Sequence, residues 1–482
     1  MQNPRKQKGF IKILVLIIIL ILIALGFYML SSDSFEKENP KITTSTKNWN
    51  LKEPFLVQLS DNGGIKSYQV SLLYEDKKIP IENMNLFYQD SACMARMANI
   101  STLTQGITNP SSKEFCIAIK RPEGINNNIK ELSFEISVTD TSKWNFFSGN
   151  TTTEILTLNI DTKKPQLSTL ANSYQVTQGG SALVIFRAVD ENLKSIKVTN
   201  GTNDFKAIPF YKEGYFISLI AWPKDNESFS AKIEARDDAG NVSIIPISYY
   251  LTPKKYRTST IPLKDSFIDG KITSLTQEIG ERSLESFSDK IALFKYINEE
   301  VRDNSTKRIM SVASNFDTTG IVDDFLIKPF SPLRNGAVMA SFGDHRKFDY
   351  QGQIVSESNH MGLDLASVKQ AKITLSNPGV VTLNEFVGID GNAIIIYHGL
   401  GLSTLYAHLT SSNVNVGDVL DSNATLGNTG NTGLALGDHL HFGILVQGHE
   451  VWSAEWMDAN WIEKNIINII NEAKAIINQL EK

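Results

Sequence analysis

Cysteine is almost missing from this chain, histidine is missing from its first 344 residues, and positive charge is not in excess over the whole chain. The two cysteines, Cys93 and Cys116, are too few for a closed, thiolate-rich structural zinc site. Neither makes a nucleophile: Cys116 sits in an alternating, strand-like run with Phe115 and Ile117, and no histidine is near either in sequence. They either close one disulfide, stabilising by about 3 kcal/mol, or stay as two buried thiols. Lys and Arg number 47 against 52 Asp and Glu, a net charge of −5, so there is no basic field for a nucleic-acid backbone and no nucleic-acid partner is expected. Apolar residues make up 41% and charged residues 21%, which excludes a charge-dominated disordered chain. At 482 residues, several folded units are expected.

One long apolar run is present. Ile13 to Leu30 follows Arg5, Lys6, Lys8 and Lys12, and at helical rise it covers most of a bilayer's hydrocarbon thickness. The basic flank should remain in the cytoplasm. A cleaved signal peptide is the competing reading, but the run exceeds a usual signal core and lacks a small-x-small cleavage site. The expectation is a single-pass anchor over 1–31 in the cytoplasmic (inner) membrane, with the remainder periplasmic or extracytoplasmic.

After the anchor the pattern is short and alternating. Phe55, Val57 and Leu59, then Tyr68, Val70 and Leu72, then Phe134, Ile136 and Val138, then Ile155, Leu156 and Leu158 read as antiparallel strands with one buried face. A second such set lies near 182–189, 196–198, 215–221 and 231–235. Lys66-Ser67-Tyr68-Gln69-Val70 has a counterpart in Lys194-Ser195-Ile196-Lys197-Val198, so two tandem immunoglobulin-like β-sandwiches are expected, over 45–162 and 165–252. Ile291, Phe294, Ile297 and Val301 then recur at helical spacing, and 253–325 reads as a helical connector. A C-terminal helix over 457–482 carries a stripe of Ile462, Ile466, Ile469, Ala473, Ile476 and Leu480, expected to pack on the domain before it. The fold class is mainly β.

Between connector and terminal helix, over 326–456, lie all seven histidines. His360-Met361-Gly362-Leu363-Asp364 places a histidine and a carboxylate four apart. Tyr406-Ala407-His408 follows, and His439-Leu440-His441 opens a strand-like run. On a strand, residues two apart share a face, so one imidazole of that pair can bind a metal while the other reaches a substrate. His360 and Asp364 would be about 13 Å apart on a straight strand, so Gly362 is expected to supply a bend. Two imidazoles and one carboxylate suit Zn²⁺ and leave a fourth position open, the mark of a catalytic site.

Residues 332–452 resemble the LytM and lysostaphin-like zinc metallopeptidases. The resemblance rests on Pro332, Gly336, Ser341-Phe342-Gly343 and Arg346, and on the H-x-x-x-D of His360 and Asp364. It continues through Gly391-Asn392 and His398-Gly399-Leu400-Gly401, Tyr406-Ala407-His408-Leu409, Gly417-Asp418, Thr432-Gly433 and His439-Leu440-His441-Phe442. It implies an antiparallel-β peptidase domain in which His360, Asp364 and His441 bind Zn²⁺ and His408 and His439 form an unliganded catalytic pair. Asn423 stands where a glycine is usual and Asp438 where a proline is common, and 346–359 follows its own pattern. His345 and His449 read as surface residues, and His398 as a structural turn residue.

The resemblance implies a zinc endopeptidase hydrolysing peptide cross-links or stem peptides of bacterial peptidoglycan, with membrane or cell-wall complexes as further partners. Two rivals are a catalytically silent scaffold that binds peptidoglycan or activates another wall hydrolase, and an enzyme acting on proteins. A connector side chain filling the open zinc position would make the enzyme latent.

Overall fold

The computed structural model describes residues 4–31, 33–81, 85–88, 113–126 and 128–482. The chain divides into two units, Met1–Lys164 with Arg236–Asn241, and Pro165–Ala235 with Val242–Lys482. In the first, Pro4–Ser31 is one helix. Among the described residues no helix is long and apolar enough to cross a membrane. The apolar side chains described there, such as Ile13 and Leu20, are exposed.

Two sheets follow in that unit. Lys41–Thr43, Phe55–Ser60, Glu114–Ile119 and Asn85–Tyr88 form one; Asn48–Trp49, Thr151–Ile160, Glu131–Asp140, Ile65–Tyr74 and Lys77–Pro80 form the other. Along Glu131–Asp140 alternate residues Leu132, Phe134, Ile136 and Val138 are fully buried. They meet Val57, Leu59 and Ile117 of the opposite sheet in one core, the sandwich that period-two patterning requires. Cys116 is disulfide-bonded; Cys93, the other cysteine in the sequence, lies outside the described residues.

The next sandwich pairs two four-stranded sheets, where the first pairs a four-stranded with a five-stranded one. Its strand Ser181–Val189 departs from simple alternation, with Ala182, Leu183, Val184, Ile185 and Phe186 all fully buried. A strand apolar on both faces must be covered on both, and the cover is the C-terminal helix. Asn468–Leu480 and the preceding turn pack on Gln166–Asn172 and Ser181–Val189, with Ser173 Oγ donating to the Asn465 carbonyl at 3.0 Å. This corrects the expectation that the helix folds back on the domain before it. The stripe also rotates at its end: Ile477 is buried, whereas Leu480 is 62% exposed, because Ala473 is followed on its own face by the residue four on.

Second sandwich and C-terminal domain therefore share one core, running from Leu183 and Phe186 through Trp456 to Tyr406 and Phe442. At their junction Glu455, 4% exposed, accepts from Ser181 N at 3.0 Å, and Trp456 Nε1 donates to Ser181 Oγ at 2.9 Å. Burial pushes the Glu455 carboxyl up to about 8. A carboxyl raised on folding favours the folded state fully below its unfolded value near 4.5 and loses that contribution as pH rises through about 8. The thermal midpoint should fall as pH rises from about 5 to 9, and Glu455→Gln should flatten part of that fall. Identical pH profiles for both proteins would remove Glu455 as the cause.

The connector is not helical throughout. Thr258–Pro262 is a strand, paired in parallel with His345–Asp349. Its partner lies far along the chain, so no local period announces it. Helical turns run from Asp265 to Ile279, and a second helical stretch starts at Lys290 with an N-cap, Asp289 accepting from Ala292 N at 2.8 Å. It buries Phe294, Ile297 and Val301 against Phe348 and Ile389. Further on, Ile309 and Ala313 pack against Leu383, Ile395 and Leu445.

The C-terminal domain is built on an antiparallel sheet with strand order Ala337–Ala340, Leu363–Ala366, Leu440–Val446, Leu402–Ala407, Gly391–Gly399, Gly379–Val387, Val419–Leu420. Asn423, at the departure from glycine, has φ +71°, a left-handed conformation that asparagine tolerates.

Candidate metal centre

Sheet register assembles the site. Asp364 lies opposite His441 on one side of the strand Leu440–Val446, and Ala407, just before His408, lies opposite His441 on the other. His360 ends the strand Gln353–His360, and Asp364 belongs to the next, Leu363–Ala366. The four-residue spacing thus crosses a strand-to-strand turn.

Gly362 bends the chain between the two strands, as expected, although its φ is not left-handed. A Cβ there would lie 2.5 Å from Cε1 and Nε2 of His441 and 2.8 Å from the Phe442 carbonyl oxygen. The position is glycine because the His441 ring occupies the space a side chain would need.

His360 Nε2, Asp364 Oδ1 and His441 Nδ1 form a triangle with sides of 2.9, 3.1 and 2.8 Å. His360 Nδ1 is 3.0 Å from the Ser341 carbonyl. A carbonyl only accepts, so Nδ1 carries the proton and, in the neutral ring, Nε2 turns its lone pair toward the carboxylate and the second imidazole. Such lone pairs converging on a carboxylate need a proton or a cation among them. A tetrahedron with ligands at about 2.0–2.1 Å has edges of about 3.3 Å, close to the triangle observed. The donor set fits a metal ion that takes N and O ligands, with a further position open.

His408 and His439 stand beside this triangle, with ring centroids 4.8 Å apart. His408 Nδ1 donates to the Thr432 carbonyl at 2.9 Å, and His439 Nδ1 to the Gly437 carbonyl at 2.8 Å. Each ring is left with Nε2 to exchange a proton, and that of His439 is 3.7 Å from Asp364 Oδ1. His408 has φ +65° and donates its backbone N–H to the Asp390 carbonyl at 2.8 Å, a strained conformation held by its surroundings.

Burial lowers His408 well below the ordinary histidine value, and the neighbouring His441 and His439 add to it, so the ring is neutral near pH 7. Burial also lowers His360. At Asp364 burial works upward, but the close contact with the His360 and His441 imidazoles outweighs it and holds the carboxyl well below its usual range. At His441 burial works downward and is outweighed by contact with Asp364.

The other histidines sit apart. His398 bonds the Pro378 carbonyl and Thr404 Oγ1, each at 2.8 Å, and burial pushes it down to about 4. His345 pairs with Glu357 at 2.9 Å. His449 is half-buried, its ring 5.4 Å from that of Phe205, rather than a bare surface residue. Asp438, at the departure from proline, accepts from Gln370 N and Thr429 Oγ1 at 3.0 and 2.5 Å.

Sequence reasoning missed the groups that aim the rings. The Ser341, Thr432 and Gly437 carbonyls carry no residue identity and leave no signature. Arg346, whose Nη2 is 3.7 Å from Asp364 Oδ2, was visible only as part of a motif. The ionic and hydrogen-bonding partners of the Asp364 carboxylate are His360, His441, His439 and Arg346, so among the described residues no connector side chain holds it.

The profile of peptidase family M23 matches residues 358–452. A DD-carboxypeptidase/endopeptidase Mpg from Neisseria meningitidis is 36% identical over 92 residues, 19% of this chain and 21% of that protein. Peptidoglycan DD-endopeptidase ShyC from Vibrio cholerae is 32% identical over 118 residues, 24% of this chain and 27% of that protein. The chain thus spans about a fifth to a quarter of the length of these relatives. Among solved structures, a zinc containing peptidase from Vibrio cholerae aligns over 77% of this chain and 92% of its own at 12% identity and TM-score 0.26. The catalytic domain of lysostaphin from Staphylococcus simulans aligns over 26% and 92% at 22% identity and TM-score 0.23. The segment that the model of peptidase family M23 matches, residues 358–452, is the one that carries His360, Asp364, His408, His439 and His441.

Proposed function

We propose that this protein is a zinc-dependent endopeptidase that hydrolyses peptide cross-links or stem peptides of bacterial peptidoglycan. The observation that carries the reading is the triangle of His360, Asp364 and His441 with two further imidazoles beside it, each anchored through Nδ1 to a carbonyl. His360, Asp364 and His441 would hold the zinc. When bound, it supplies a Lewis acid that polarises a scissile carbonyl and makes water acidic enough to attack near neutral pH. His408 and His439 each offer a nitrogen that can take a proton from the attacking water, or return one to the leaving amine. The same nitrogens, once protonated, can stabilise a tetrahedral oxyanion.

The substrate follows from the relatives, whose names specify peptidoglycan DD-endopeptidases. The proposal includes placement: the run Ile13–Leu30 behind its basic flank supports a single-pass anchor in the cytoplasmic membrane, with the catalytic domain outside. It also includes the immunoglobulin-like character of both sandwiches, the segment boundaries given above, and wall complexes as partners.

Purified muropeptides incubated with the zinc-loaded and the chelated full chain, with products read by mass spectrometry, test the reading. New peptide termini should form only with metal present. Binding without cleavage would favour the silent scaffold, and cleavage of denatured protein but not of muropeptides would favour a protease acting on proteins.

A further inference from the structure

The cavity over the metal centre has a volume of about 1030 Å³, and part of its wall comes from outside the family-matched segment. Lys254, Lys255, Arg257, Lys264, Arg302 and Arg346 line it, six cations against the three acids Asp344, Asp364 and Asp390. In a chain of net charge −5, this local excess is not the average surface.

Three of the six are already engaged. Arg346 lies 3.5 Å from Asp344 and 3.7 Å from Asp364, and Arg302 is hydrogen-bonded to Asn298. Lys254 stands 3.8 Å above the Trp452 ring. Lys255, Arg257 and Lys264 are exposed, and among the described residues no acidic side chain pairs with them.

Their backbone is held in place. Thr258–Pro262 pairs with His345–Asp349, Ser259 Oγ donates to Asp344 Oδ1 at 2.7 Å, and Tyr256 Oη donates to the Gln178 carbonyl at 2.6 Å. The same cavity also carries exposed apolar side chains, Val338, Met339 and Leu436. Unpaired cations flanking a fixed strand, together with small apolar contacts, are complementary to a peptide bearing carboxylates and short aliphatic side chains.

We propose that Lys255, Arg257 and Lys264 bind carboxylate groups of the peptide substrate, so that the connector, and not the family-matched segment alone, selects what is cleaved. This rests on the hydrolase reading above, and its test reads binding so that the two can fail separately.

The zinc-loaded full chain is titrated calorimetrically with two synthetic peptides, identical except that the carboxylates are free in one and amidated in the other. The acid peptide should bind about tenfold more tightly, and Lys255→Gln/Arg257→Gln/Lys264→Gln should bring the ratio toward parity. Raising the ionic strength to about 0.5 M should erode the ratio in the unsubstituted chain, which tests the idea even if the triple variant fails to fold. No preference in the unsubstituted chain, or a ratio untouched by both substitution and salt, overturns the proposal. So does polyphosphate displacing both peptides equally, which would mark a surface for phosphate polymers. Selective binding without cleavage would leave this proposal standing and the hydrolase reading fallen.

Discussion

In the zinc-loaded full chain, His408→Ala and His439→Ala are each expected to lower muropeptide turnover by about 10²- to 10⁴-fold, while metal content stays at the unsubstituted level. The separation follows from geometry. Neither ring belongs to the triangle of His360 Nε2, Asp364 Oδ1 and His441 Nδ1, and each is fixed instead to a carbonyl, of Thr432 or Gly437. Removing one should therefore leave the donors in place and take away a group that handles a proton. The double variant should lose less than the product of the two single effects, because residues acting in one reaction step are not additive. Metal content by atomic spectroscopy and turnover by product mass spectrometry check the pair. Full activity in either single variant would refute its assignment as catalytic.

The second large effect is on the metal itself. His360→Ala or Asp364→Asn should abolish stable metal binding, and activity with it, because two protein ligands do not hold zinc as three do. Asp364→Asn is the sharper variant: it keeps the shape of the side chain and removes the negative charge that both imidazoles face. Gly362→Ala should reach a similar end without touching a donor, weakening affinity by about 10- to 100-fold through displacement of the His441 ring. The readout is metal retained after dialysis against a graded chelator. Undiminished retention in Asp364→Asn would mean that the ion, if bound, sits elsewhere.

Much of this centre was legible in the order of residues. His439 and His441 sit two apart, His439 in a bridge to Gly430 just before the strand Leu440–Val446 that carries His441, and the apolar alternation of Phe134, Ile136 and Val138 marked a buried sandwich face. Gly362 was legible as the bend between its strands. A second reason for glycine there was not, because it depends on where His441 lies, 79 residues away in the chain. The strand Thr258–Pro262 was hidden for the same reason: parallel pairing with His345–Asp349 is a long-range property, and five residues leave no period that separates strand from loop. The packing of the terminal helix was not legible because a stripe alternating by threes and fours drifts off the helical repeat, and its partners, the strands Gln166–Asn172 and Ser181–Val189, lie far away.

Sequence by itself determined which side chains could do chemistry and which faces of strands and helices had to be buried. Both follow from covalent identity and from the local repeats of two and about 3.6 residues. Tertiary structure alone decided that five side chains meet within one cavity, that the Ser341, Thr432 and Gly437 carbonyls turn the imidazoles, and that the 254–264 segment walls the cavity with lysine and arginine. These depend on contacts between distant segments and on backbone groups that every residue shares, and neither leaves a mark in composition or spacing.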